Sequence, residues 1–187
     1  MKKLKILDLI IFTAIAIISD WVAYSLKLFN LNLIISLSIP IIIIIYIRWS
    51  YYGIITNVMV AISHFIIFQE PPLNKLIHSI SFLFLGLSLL FLLLKSYKDL
   101  PIKKRYLTLL YIPIYAVMML VEWGLSHLTQ TPISLIGHIA NHSLNFIIGL
   151  AVILVASIQP NIIVSMKSYE MHLIKTKTYV KDDGYGI

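Results

Sequence analysis

The chain has 187 residues, of which 59% are hydrophobic and only 12% charged, with a formal net charge of +7 and no cysteine. A soluble domain of this length carries about 25% charged residues, and one small core cannot hide so much apolar surface; a bilayer can. The missing cysteines exclude disulfides and cysteine-ligated metals, and positive charges dispersed over separate loops exclude the basic patch of a nucleic-acid binder.

Long uncharged runs predict six membrane-spanning helices at 6–26, 31–47, 51–69, 74–94, 106–128 and 133–158. The first starts like a signal peptide, with Lys2, Lys3 and Lys5 before an apolar run. Asp20 and Trp21 occupy the place of a cleavage site, which predicts a retained helix. Asn30 and Asn32, Arg48, Glu70-Pro71-Pro72, the charged stretch 95–105 and residues 129–132 separate the spans. Pro40 and Pro113 fall inside spans and predict kinks, tolerated where neighbouring helices satisfy the freed carbonyls. After Pro160, Ile162, Ile163, Met166, Tyr169 and Leu173 recur near helical spacing and predict an amphipathic helix on the inner membrane surface. The expected organisation is therefore an all-α membrane protein: a six-helix transmembrane domain over 1–160 and a basic tail over 161–187.

Lysine and arginine set the orientation. With the N-terminus inside, the short loops and tail on the cytoplasmic side hold 13 of the 15 positive residues, and only Lys27 and Lys75 lie outside. This predicts a multi-pass protein of a bacterial plasma membrane with both termini cytoplasmic. Trp21, Tyr24 and Phe29 then fall near the outer interface, and Trp49, Tyr51, Tyr52, Tyr97 and Tyr106 near the inner one, as aromatic belts.

Polar residues placed in lipid mark the working part of such a protein. Under this topology Asp20, Glu122, Ser126, His127, His138, Asn141, His142 and Asn145 share the outer leaflet, while the inner half is almost entirely aliphatic. On the last span His138, Asn141 or His142, Asn145 and Gly149 recur on one helical face. Tyr115, Met119, Glu122 and Ser126 do so on the fifth, and Thr13, Ala16 and Asp20 on the first. Polar stripes in lipid must face inward, so the expectation is an outward-facing pocket walled by Trp123 and Trp21, suited to a small organic molecule. His64 and His78 read as interfacial residues. His138 and His142, spaced i, i+4, can chelate one metal ion with Glu122 or Asp20 as third ligand. Ser19-x-x-x-Ala23 offers a small-residue face for another membrane subunit. Neither a phosphate-binding glycine loop nor a nucleophile–base pair stands out, and no cofactor is implied.

Together these features resemble the substrate-binding S component of energy-coupling factor vitamin transporters. Tyr46-Ile-Arg-Trp-Ser-Tyr-Tyr-Gly53 is similar to the Arg-Trp-Gly-like turn between the second and third helices of that family, with Ser50 where a glycine is more usual. Asn141-His-Ser-Leu-Asn145 and Met166-Lys-Ser-Tyr169 resemble its C-terminal run. The resemblance implies six helices, cytoplasmic termini and an outward-facing site built from the last three helices. It also implies a vitamin or similar nutrient as ligand, no catalysis by this chain, and partners comprising a membrane coupling subunit and two ATPases. Two other readings share the outline: a non-transport scaffold of a cell-envelope complex, and a membrane enzyme or metal protein using Glu122, His138 and His142.

Overall fold

A computed structural model of the protein describes residues 2–25, 35–90, 104–131, 134–159, 162, 163, 165 and 166. The start of the span expected at 31–47, the end of that at 74–94 and almost all of the tail lie outside these residues. Every regular element described is helical: α1 Lys2–Ser25, α2 Ser38–Trp49, α3 Gly53–Ile67, α4 Pro72–Leu83, α5 Lys104–Leu128 and α6 Leu135–Ile158. Single 3₁₀ turns, Ser50–Tyr52 and Phe84–Leu87, follow α2 and α4. Among the described residues, five helical segments are long and apolar enough to cross a membrane, with Ser38–Ile67 as one of them.

That segment doubles back. Asp8 on α1 bonds Arg48 and Trp49 at the end of α2, while Asp20 bonds Ser38 at its start; α1 and α2 are therefore antiparallel. Thr13 bonds Thr56 and Asp20 bonds His64, so α1 and α3 run parallel. The reversal between α2 and α3 is made at Ser50, whose φ of 55° lies in the region that favours glycine.

The helix α2 is apolar around its whole circumference, and every residue of it except Ile41 is buried. A helix of that kind belongs at the centre of a bundle. An arc runs from α1 through α3, α4 and α5 to α6, and α1, α3, α6 and the turn after α4 all pack on α2. Ile39, Ile42, Ile43, Tyr46 and Ile47 of α2 meet Ala16, Val60, Phe82, Tyr111, Tyr115 and Ile153 in one core. Because α2 begins at Ser38, Pro40 sits in its first turn, where a missing N–H costs nothing, rather than kinking a longer helix.

The outer faces are as apolar as the core. Ile10, Ile11, Ile15 and Ile18 on α1 are exposed, as are Ile147, Leu154 and Val155 on α6, whereas Asp20, Thr56, His64 and Ser126 are fully buried. This inverted polarity is consistent with a membrane protein.

Close helix approach is enforced at two glycines. Gly53 lies under the Tyr46 ring, where a Cβ would stand 2.6 Å from Cδ1. Gly149 on α6 receives the Tyr111 hydroxyl from α5 in the space a Cβ would fill, and that hydroxyl shares its one proton between the Asn145 and Phe146 carbonyls at 3.4 and 3.3 Å. Gly149→Ala is expected to lower stability by about 1–3 kcal/mol through overpacking. Thermal unfolding in detergent checks this; an unchanged midpoint would mean that α5 and α6 are not in contact here. Ser50→Gly should raise the midpoint in the same assay, since relief of an unfavourable φ is worth about 1 kcal/mol.

Candidate functional site

The polar residues of the bundle gather at the end marked by Asp20. The segment before α2 turns its first amides toward α1, and the Asp20 carboxylate receives them. Its Oδ1 accepts from the Leu37 and Ser38 amides at 2.6 and 2.9 Å. Its Oδ2 accepts from the hydroxyls of Ser36 and Ser38, and pairs with His64 Nε2 at 2.6 Å. Asp20 thus caps α2 from another helix, placing negative charge at the positive end of the α2 dipole. Ser36 also donates its amide to Asn145 Oδ1 at 2.7 Å, which ties the same segment to α6.

A second centre lies on Glu122 of α5. Oε1 accepts from His78 Nδ1 at 3.2 Å, and Oε2 from the Ser81 hydroxyl at 3.3 Å, both on α4. His142 Nε2 on α6 faces Oε2 at 3.5 Å. The Tyr115 hydroxyl, one helical face below Glu122, lies 3.0 Å from His142 Nδ1 and 3.0 Å from its carbonyl oxygen. The rings of His64 and His78 are 5.3 Å apart between centroids and join the two centres. One polar layer therefore crosses the apolar body, carried by α1, the segment before α2, and α3 through α6. One ring nitrogen each of His138 and His142 and a Glu122 carboxylate oxygen lie within 4.8 Å of one another, an arrangement able to hold a metal ion.

The structure sorts the residues singled out in the sequence. It brings Glu122, His138, His142 and Asn145 together with Asp20 in the buried layer. Asn141 is half-buried on the same helix, and its Oδ1 is enclosed with no hydrogen-bond partner among the described residues. Ser126 is buried, but its hydroxyl bonds back to the Trp123 carbonyl. Trp123 and His127 turn to the exposed side of α5, with ring centroids 4.4 Å apart, so they wall no interior pocket. Trp21 is likewise exposed on α1. The small-residue face expected at Ser19 and Ala23 is not presented to the outside. Ala23 is buried within the bundle and Ser19 is half-buried with its hydroxyl on the Ala16 carbonyl, because both flank the inward stripe that carries Asp20.

Sequence reasoning missed His64, His78, Ser36 and Ser38 as members of the layer. The signal for His64 was present: it shares one α3 face with Gly53, Thr56, Asn57, Val60 and Ala61, all buried. His78 stands one turn before Ser81 and Phe82 on the buried side of α4 in the same way. At the opposite end Arg48 and Trp49, expected at the membrane interface, are buried. They donate to Asp8 Oδ2 at 2.7 Å each, and Arg48 Nη1 donates to the Ile162 carbonyl at 2.8 Å.

Asp20→Asn is expected to cost about 3–5 kcal/mol, because it removes the charge that satisfies buried His64 and the α2 amides. Far-UV circular dichroism on heating in detergent measures it; unfolding at the wild-type temperature would show that Asp20 does not organise the layer. Comparison of the chain with protein-family models, with curated proteins and with solved structures finds no match.

Proposed function

We propose that this protein is the substrate-binding membrane subunit of a nutrient uptake system, of the S-component kind, in a bacterial plasma membrane. The observation that carries the reading is the buried layer. Glu122, His138, Asn141, His142 and Asn145 from two neighbouring helices converge with His78 inside an otherwise aliphatic body. Polar groups in such a place are expensive and mark a ligand or ion path.

In this reading six helices span the membrane with both termini cytoplasmic, α2 and α3 forming a hairpin of two short spans. The Asp8–Arg48 end faces the cytoplasm and the Asp20 end faces outward. The lysines and arginines of the cytoplasmic loops support that orientation. The ligand is a vitamin or similar small nutrient, oriented by the Glu122 carboxylate and by Asn141 Oδ1, an acceptor that lacks a partner among the described residues. Release inside depends on partners, a membrane coupling subunit and ATPases, since nothing in the layer resembles a nucleotide site. An external face built of isoleucine and leucine is what a body that shifts in lipid needs.

The test is native mass spectrometry of the detergent-purified protein, with identification of small molecules and co-purifying ATPases. A stoichiometric nutrient supports the proposal, and a protein that carries none and restores no uptake in a transport-deficient strain overturns it. With the ligand in hand, Glu122→Gln and Asn141→Ala should each weaken binding at least tenfold, roughly 1.4 kcal/mol, while leaving helix content unchanged. Wild-type affinity in both variants would remove the site from this layer.

A further inference from the structure

One ring nitrogen of each of the two α6 histidines is engaged by the protein, and the other is turned toward the layer. The Tyr115 hydroxyl lies 3.0 Å from the His142 carbonyl oxygen and 3.0 Å from His142 Nδ1. In the tautomer that carries its proton on Nδ1, the imidazole N–H donates to the phenol oxygen and Nε2 keeps a lone pair. Nε2 is enclosed and faces Glu122 Oε2 at 3.5 Å.

His138 is set in the same way. Its Nε2 lies 3.2 Å from the Met119 carbonyl, which can only accept, so Nε2 bears the proton and Nδ1 is the basic nitrogen. Glu122 is held by His78 and by the Ser81 hydroxyl. Each of the three Lewis bases is thus oriented by a second group from the protein, which is the arrangement found around metal ligands. One ring nitrogen of each histidine and one Glu122 carboxylate oxygen lie within 4.8 Å of one another. Bonds of about 2.1 Å to a tetrahedral ion require donor separations near ~3.4 Å, and side-chain rotations of the order of 1 Å close that gap.

We propose that Glu122, His138 and His142 form a binding site for one divalent cation of the zinc, cobalt or nickel class. Two imidazoles and a carboxylate suit those ions, whereas calcium and magnesium demand oxygen ligands. Three protein ligands leave a coordination position open for water or a ligand molecule. The site rests on the geometry of these three residues and does not depend on the uptake reading.

Cobalt(II) is the probe, because its visible ligand-field absorption reports coordination directly. The full-length protein, purified in detergent and stripped with a chelator, is titrated with cobalt(II) alone, followed by zinc(II) competition. The expected result is one equivalent of cobalt, a visible band, and displacement by zinc. His138→Ala and His142→Ala should each weaken cobalt binding at least tenfold and abolish the band, with Glu122→Gln weakening it too. His127→Ala, on the exposed side of α5, should leave it unchanged. Absence of a band in folded wild-type protein overturns the site, and that result stands even if a histidine variant fails to fold. A band that survives His138→Ala and His142→Ala together overturns it as well. An organic nutrient retained by protein that binds no cobalt would sustain the uptake reading while removing the cation site.

Discussion

The carboxylate of Asp20 has no water to fall back on. It is fully buried, in a body whose outer faces are aliphatic, and an unsatisfied charge there costs several kcal/mol. Five donors answer it: two backbone amides, two serine hydroxyls and one histidine. Those donors belong to the segment before α2, to Ser38 at its start and to α3, so one side chain of α1 fixes where α2 begins and which face α3 presents. The position of His64 follows from that pairing, His78 packs on His64, and Glu122 bonds His78. The layer across the bundle is a chain of such dependences.

A matching constraint holds the other end. Asp8 accepts from Arg48 and Trp49, the Arg48 guanidinium lies over Phe12, and its remaining arm holds the Ile162 carbonyl. The two acids of α1 thus grip the two ends of α2. Between them the contacts are almost purely apolar and carry no directional information, so the clamps and the glycine approaches at Gly53 and Gly149 supply the register. The same logic explains why polar residues are few but nearly all engaged. Where hydrocarbon surrounds the bundle, a hydrogen bond is one of the few contacts that distinguishes helix from helix.

Much of this was legible in the sequence because lipid imposes a simple code. Helix positions followed from apolar length, and the inward faces of α1, α5 and α6 from polar spacing, which pointed to Asp20, Glu122, His138, His142 and Asn145, all buried in the structure. Failures came where one residue type serves two environments. Trp123 and Trp21 are apolar enough to stack on a ligand or to face lipid, and spacing alone does not decide; they face outward. Ser19 and Ala23 are small enough for an external contact or for an internal one, and Ala23 is inside. The bonds of Arg48 and Trp49 to Asp8 were hidden because that partner lies 40 and 41 residues away in sequence. His64 and His78 were discounted singly, though each lay on a buried stripe of its own helix. Pairings between helices are invisible to periodicity, and the layer is made of them.

The clamps on α1 also measure depth. Asp8 and Asp20 are 12 residues apart, hence separated by ~18 Å along the helix, while the hydrocarbon core of a bilayer is about 30 Å thick. With the Asp8 clamp at one boundary, the polar layer lies roughly 12 Å beneath the other. A charge arriving there from the nearer side crosses about two-fifths of the electric field, an exchange of about 0.9 kcal/mol per unit charge for each 100 mV. On the proposed uptake reading, occupancy of the layer by a charged ligand is coupled to the membrane potential. Each unit of charge changes affinity by a factor of about five per 100 mV, so an energised cell and a de-energised one would fill the same residues to different extents.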